Sequence, residues 1–280
     1  MIKKLKITVV ADNTASGKLL AEHGLAYYIE CDGKRMFFDS GQGRVIEHNC
    51  ERLNIDPLRA NAFVISHGHY DHTGGIKYLS EHFSDNVKVY LHPAALEKKY
   101  AKDEHKYRYI GISKESRKWI KSKDKQRLFF TENPTKVFKD VWITGEIPRV
   151  HRIEKVERRF CLNKDINQHD DLPDDQSMYF YTCKGIVVLL GCCHSGIGNT
   201  LDYISNITGK NRIYAVIGGM HLKNVSRKRL DFTSGILEKY KVKKFAPCHC
   251  TGQKSAAYLF CKGPGIFSEC LAGGIFSYDF

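Results

Sequence analysis

Long apolar runs are missing. Nowhere do the 280 residues approach the roughly 18 consecutive apolar positions that a membrane-crossing helix requires. The apolar patch behind the first lysines, in MIKKLKITVVAD, stops at Asp12. At about five residues it is too short for a secretory leader, and it reads as a first β-strand. There is no Cys-x-x-Cys pair, which argues against a structural zinc knuckle. The ten cysteines show no disulfide framework of a small domain, and Cys183, Cys192 and Cys193 lie in apolar, strand-like runs. A reducing, cytoplasmic setting is expected. A Gly-x-Ser-x-Gly elbow is absent too, which removes a common nucleophile of hydrolases. With neither a Pro/Gly/Ser-rich linker nor a repeat of fixed period, one domain over residues 1–280 follows.

What is present is an ordinary globular composition, 42% hydrophobic and 27% charged, in a chain long enough to bury a core. The net charge of +13 is unevenly spread, with twelve Lys or Arg against four Asp or Glu in residues 98–127. A solvated helical face is the first reading. A positive rim that attracts an anionic substrate or nucleic acid is the second. No aromatic-rich RNA motif accompanies the charge, so a small anionic molecule is preferred as partner over nucleic acid.

Strand-like runs alternate with helix-like ones. KLKITVVAD is a strand, and LAYYIECDG with KRMFFDSG forms a hairpin turning at Asp32-Gly33. Val45, Ile46, Cys50 and Leu53 recur with helical spacing. NAFVIS is a short strand. Ile76, Leu79 and Phe83 share a helical face for which Thr73 is the expected N-cap, and the strand NVKVYLHP follows. Residues 94–127 read as a basic helical insertion. Beyond them come strands, a hairpin in SMYFYTCKGIVVLLGCC, and alternating helices and strands to SAAYLFCKG. This order predicts α/β layers.

The informative stretch is AFVISHGHYDHTGG, residues 62–75, which places His67, His69, Asp71 and His72 within six positions. A strand leaves its last side chains at a sheet edge, so two histidines two positions apart point the same way. Asp71 and His72, on the turn into a helix, can face a second position a few ångströms away. Imidazole with carboxylate suits zinc, with manganese or iron as alternatives. Gly68, Gly74 and Gly75 permit a tightly wound loop.

SHGHYDHTGG resembles the His-x-His-x-Asp-His signature of the metallo-β-lactamase-fold hydrolases, and the resemblance covers most of the chain. It implies an αββα four-layer sandwich of two mixed β-sheets with helices on the outer faces. RMFFDSGQG is similar to the family's first motif, whose aspartate, here Asp39, orients a ligand histidine. EHGLAYYIE, GCCHSGIGNT, IGGMHL and PCHCTG resemble one branch, often labelled as dihydropterin ribofuranosylaminobenzene 5'-phosphate synthase-like. The resemblance implies that His67 and His69 bind one ion and that Asp71 and His72 serve a second. His194 and His249 are expected to complete the set. His221 is either a substrate contact, a support for a ligand, or a plain strand-end residue.

The chain also departs from the family. After the strand IVVLLG, where a bridging aspartate is usual, it reads CCH. Either His194 is a third ligand to the first ion or it replaces the bridge, so one or two ions remain open. Asp174 and Asp175 either supply a carboxylate or belong to an acidic surface loop. Cys192 and Cys193 are read as packing residues, with thiolate ligation as the alternative. An ion held here lowers the pKa of water towards about 7, and Asp71 is the expected catalytic residue that orients that water. The di-iron oxygen or nitric oxide reductases of this fold carry a glutamate in place of His69 and a flavin domain, and the chain has neither. Hydrolysis of a small phosphoester or pterin-like molecule is the preferred reading. Lactonase or thioesterase chemistry and a non-catalytic, metal-stabilised anion- or nucleic-acid-binding protein are the alternatives.

Overall fold

The computed structural model describes residues 1–103, 106–164 and 168–280. The chain begins with β1 (Lys4–Ala11) and the hairpin of β2 (Ala26–Cys31) and β3 (Lys34–Phe38). Asp32 and Gly33 turn that hairpin with φ of 43° and 81°, the left-handed pair a two-residue turn demands. Next come α1 (Ile46–Arg52), β4 (Ala62–Val64), the short α2 (Tyr70–Thr73), α3 (Ile76–His82) and β5 (Lys88–Leu91). The middle of the chain forms β6 (Tyr100–Asp103), β7 (Lys106–Tyr109), α4 (Lys114–Lys121), β8 (Leu128–Phe130), β9 (Thr135–Phe138), β10 (Val141–Ile143) and β11 (Phe160–Cys161). The remainder is β12 (Met178–Thr182), β13 (Gly185–Leu190), α5 (Ile197–Thr208), β14 (Ile213–Gly219), α6 (Arg227–Lys239), β15 (Lys244–Cys248), α7 (Gln253–Lys262) and β16 (Ile275–Asp279).

Two mixed sheets result, in the orders β16-β1-β2-β3-β4-β5-β8 and β15-β14-β13-β12-β10-β9. Their facing sides supply one core, with Ile7, Tyr27, Ile29 and Phe38 from the first sheet against Phe180, Val187, Leu189 and Ile217 from the second. The outer face of the first sheet buries Phe37, Phe63 and Val89 under residues of α1, α3 and α4 such as Ile46, Leu79 and Ile120. The outer face of the second buries Val188, Leu190 and Val216 under Leu201 of α5, Leu237 of α6 and Leu259 of α7. This is the expected four-layer αββα sandwich. Each such side chain, fully buried, contributes roughly 1.5–3 kcal/mol.

The layers place the site through strand direction. β3, β4 and β5 run parallel to one another, as do β13, β14 and β15. The segments that leave their carboxyl ends therefore gather at one edge of the sandwich, where α/β folds bind ligands. A small sheet, β11-β6-β7, lies over that edge. It packs Ala101, Ile110 and Phe160 with Leu172 and Tyr70.

Two local expectations change. The basic stretch at 94–127 is only partly helical: α4 is there, but Tyr100–Asp103 and Lys106–Tyr109 pair as an antiparallel hairpin, with Glu104 and His105 outside the described residues. Tyr107 and Tyr109 favour a pleated surface, and that preference outweighs the lysines' tolerance of a helix. Thr73 does not cap α3, whose N-cap is Gly75 and which has no side-chain cap. Its hydroxyl donates instead to the His69 carbonyl at 2.8 Å, inside α2.

Candidate metal centre

β4 delivers the histidine loop. Ser66 through His72 follow its last residue, and His67, His69, Asp71 and His72 are all buried. Asp39, just after β3, organises them. Its carboxylate accepts from the Ser66 amide at 2.7 Å and the Ser66 hydroxyl at 2.7 Å, and it lies 2.6 Å from His72 Nδ1. The Ser66 hydroxyl also stands 2.9 Å from His67 Nδ1. Both rings thus have one nitrogen tied back and the other, Nε2, turned towards the site. His67 Nε2 is 3.0 Å from His69 Nδ1 and 3.3 Å from His194 Nε2.

The second sheet supplies the rest. Cys192 and His194 follow β13, His221 follows β14 and His249 follows β15. Four non-glycine residues at these strand exits and at Asp39 have left-handed backbones: Asp39 (φ 61°), Cys193 (54°), His221 (47°) and His249 (50°). Such conformations cost on the order of 1 kcal/mol each and persist where the surroundings over-determine them. Backbone segments approach closely here. A Cβ on Gly191 would stand 2.2 Å from Ser66 Oγ, and one on Gly68 would stand 2.4 Å from the Ala95 carbonyl oxygen. The glycine requirement at both is close approach, since neither has a positive φ.

Two groups of three ligand atoms form, each with all its atoms within 4.8 Å of one another: His67, Cys192 and His194, and His72, Cys192 and His249. Cys192 belongs to both, and its sulfur is 3.1 Å from His72 Nε2. Nitrogens bound at about 2.0–2.1 Å to a tetrahedral ion stand about 3.3 Å apart, so the observed imidazole spacings suit such an ion. Nε2 of His69 and Nε2 of His249 are buried without a hydrogen-bond partner, an arrangement costly for a purely structural cluster. The donor set fits a divalent metal. Asp71 Oδ2 sits beside the second group, 3.4 Å from His249 Nε2, 3.3 Å from His23 Nε2 and 4.0 Å from His72 Nε2.

The protonation pattern divides the cluster. Burial and the neighbouring rings hold His67 and His194 well below the usual histidine value, and burial takes His69 to about 3. These three keep a lone pair available. Burial pushes His72 down as well, but the Asp39 carboxylate outweighs it and lifts the ring to about 9. Burial opposes ionisation of Asp71, yet the close imidazole of His249, 3.4 Å away, and the charge of His72 win and hold its carboxyl well below the usual range. Burial raises the Cys192 thiol; it pushes Cys250 up as well, but the Cys192 contact and the rings of His249 and His221 outweigh it and take that thiol down to about 6.

Above the cluster opens a cavity of about 600 Å³, walled by the small sheet on one part (Arg108, Ile110, Phe160) and by Lys223 and Asn224 on another. His221 lines it, with Nδ1 3.1 Å from Glu157 Oε1 and its ring 4.3 Å from that of His194.

Comparison with known proteins agrees with this layout. The family model described as the metallo-beta-lactamase superfamily matches residues 21–201. The chain belongs to the metallo-beta-lactamase superfamily. Among its relatives is a Methanocaldococcus jannaschii protein carried under the name Uncharacterized protein MJ0448, 36% identical over 90% of this chain and 93% of that one. A second protein of the same organism, named 7,8-dihydropterin-6-methyl-4-(beta-D-ribofuranosyl)-aminobenzene-5'-phosphate synthase, is 27% identical over 99% of this chain and 98% of its own. Among solved structures, Tm1679, described as a metal-dependent hydrolase of the beta-lactamase superfamily, superposes with a TM-score of 0.81 at 26% identity, covering 99% of this chain and all of that one (100%).

Of the six residues expected as ligands, His67 and His194 fall in one group and His72 and His249 in the other, while His69 and Asp71 lie beside them outside both groups; Asp39 lies against His72. Two sequence readings need correction, and one residue drew no reading. Cys192 is not a packing residue: it stands where the two groups meet, whereas Cys193 packs behind α5 with its sulfur 3.3 Å from Thr200 Oγ1. Asp174 and Asp175 form no acidic surface loop and do not join either group. Both are buried; Asp174 accepts from the Gly68 amide at 2.7 Å and Asp175 from the Ser195 amide at 2.8 Å. Lys99 escaped notice within its basic stretch. It is fully buried, and its ammonium donates to Asp170 at 2.8 Å and Asp174 at 2.9 Å. Its neighbours Lys98 and Lys102 are exposed, so local sequence offered no signal for it.

Among the described residues, no helix is long and apolar enough to cross a membrane.

Proposed function

We propose that the protein is a metal-dependent hydrolase of a small anionic molecule, with zinc as the preferred ion and room for two. The observation that supports it most is the pair of buried three-atom groups sharing Cys192 at the base of an open cavity. His67, His69 and His194 would hold one ion, His72 and His249 the other, and Cys192 would stand in for the bridging aspartate usual in the family. When bound, such ions polarise a substrate oxygen and lower the pKa of water towards about 7.

The chain's own residues supply the rest. Asp71 is held ionised, so it accepts a hydrogen bond from the attacking water and aims it; a carboxylate so acidic is a poor proton acceptor, which makes its role orientation. His221 is pushed down by burial but raised further by its hydrogen bond to Glu157, so it can carry a proton for the departing oxygen. The small sheet over the cavity restricts water.

The substrate class rests on the lining. Arg108, Arg159 and Lys223 favour an anion, and Tyr70 and Phe160 favour a flat ring. A phosphorylated, pterin-like molecule meets both, and the name of the 27% identical relative refers to such a molecule. That name also motivates a second reading, a synthase using the same ions to join such a molecule to a partner, supported by the end-to-end match.

Elemental analysis of purified protein, then a panel of phosphoester, lactone and thioester substrates with the metal found, tests the hydrolase. Metal-dependent turnover is expected on a phosphoester, with loss of metal and activity in His69→Ala and His194→Ala. Full metal occupancy in His194→Ala would remove it from the ligand set, and no turnover on any member would favour the synthase.

A further inference from the structure

We infer that His23, on the loop between β1 and β2, is a further donor to the second ion and closes that group on the side facing the cavity. The inference rests on the two-ion reading above. His23 belongs to neither three-atom group, and its side chain is exposed and lines the cavity. Its backbone is nevertheless pinned on both sides. Before it, the buried Glu22 carboxylate accepts from the amides of Gln42 and Arg44, each at 2.8 Å. After it, the Leu25 amide donates to the Asp71 carbonyl at 3.1 Å. A Cβ on the intervening Gly24 would stand 2.7 Å from that same carbonyl oxygen, so the chain comes as near to Asp71 as only glycine allows. A side chain carried on so fixed a loop has less freedom to lose when it binds.

The ring takes up the spacing of the buried ligands. Two imidazoles that bind one tetrahedral ion through their facing nitrogens, at about 2.0–2.1 Å, have ring centres about 5.3 Å apart. The rings of His72 and His249 stand 5.0 Å apart, and those of His23 and His249 stand 5.2 Å apart. Nε2 of His23 and Nε2 of His249 lie 3.3 Å and 3.4 Å from the same atom, Asp71 Oδ2. A charge-assisted N–H···O bond is about 2.7–2.9 Å long, so neither ring makes a close bond to the carboxylate. Both distances match instead the roughly 3.3 Å between donors that share a tetrahedral ion. His23 thus stands towards Asp71 and His249 as a ligand of the second group would, from the one side that the buried histidines leave to the cavity.

The test is a zinc titration of metal-free protein in competition with a chelating dye, which reads the two ions separately. The exposed position lets His23 be replaced without disturbing the core. The wild type should bind two ions, and His23→Ala should weaken the second by at least about tenfold and leave the first unchanged. His23→Gln separates a donor from a residue that merely steadies Asp71. It keeps an N–H for the carboxylate but has no imidazole lone pair, and it should bind the second ion as weakly as His23→Ala. With cobalt(II) in place of zinc, proton NMR of the wild type should show one more set of strongly hyperfine-shifted imidazole ring protons than His23→Gln. Unchanged affinity in His23→Ala, affinity restored by His23→Gln, or identical sets of shifted ring protons overturns the assignment while the two-ion reading stands. A wild type that binds a single ion overturns the two-ion reading and the assignment with it.

Discussion

The two three-atom groups share a thiol and differ in nearly everything else. In the first, His67 is tied back by a hydroxyl, Ser66, and burial keeps both His67 and His194 neutral. In the second, His72 is tied back by a carboxylate, Asp39, which lifts it to about 9, and His249 is tied back by the Asn13 side chain at 2.8 Å. One half is ready for a cation. The other must release a proton to receive one. Each half also combines a histidine from the first sheet with one from the second, so neither exists until the sandwich has closed.

Removing the shared atom should have the largest effect. Cys192→Ala should lose both ions and lower turnover at least about a hundredfold, measured by metal content beside activity, with circular dichroism to check folding. Two retained ions would mean that the halves are independent. Next in size is Lys99→Met, which leaves Asp170 and Asp174 buried and unpaired. Chemical denaturation should show a loss of about 3–5 kcal/mol. Because Asp174 holds the Gly68 amide, metal should be lost more readily from the His67 half than from the His72 half. Equal weakening of both would break the proposed asymmetry.

The proton difference can be read directly in metal-free protein. His72 is raised above the ~6.5 of an unfolded histidine, so the stability it draws from Asp39 is fully present below that pH and is lost as pH rises through about 9. Denaturation of the wild type relative to His72→Gln should show the difference shrinking by on the order of 3 kcal/mol between pH 6 and pH 10. A flat difference would show that His72 is neutral throughout. The smallest effect is expected for Asn13→Ala, which frees the rear nitrogen of His249. Affinity for the second ion should fall by about tenfold and that for the first should not change, as read by competition with a chelating dye.

How far the sequence carries depends on the range of the contact. The hairpin at Asp32-Gly33, the strand–helix alternation and the loop from His67 to His72 were all legible, because turn chemistry, periodicity and ligand spacing act within a few residues. Lys99 was not, because one ammonium in a basic stretch is distinguished only by carboxylates 71 and 75 positions later. The hairpin inside 94–127 was missed for a related reason: its partner strand β11 is a two-residue piece near Phe160.

By itself the sequence determined which donors exist and that His67, His69, Asp71 and His72 leave a strand together, since a covalent spacing of two to five residues cannot be undone by folding. Only the tertiary structure decided that Cys192 and not Cys193 faces those donors, and that Asp174 and Asp175 support the site without joining the ligand groups. Adjacent residues at a strand exit point to opposite faces, and which face meets the histidines depends on how the two sheets pack and on what covers their outer sides.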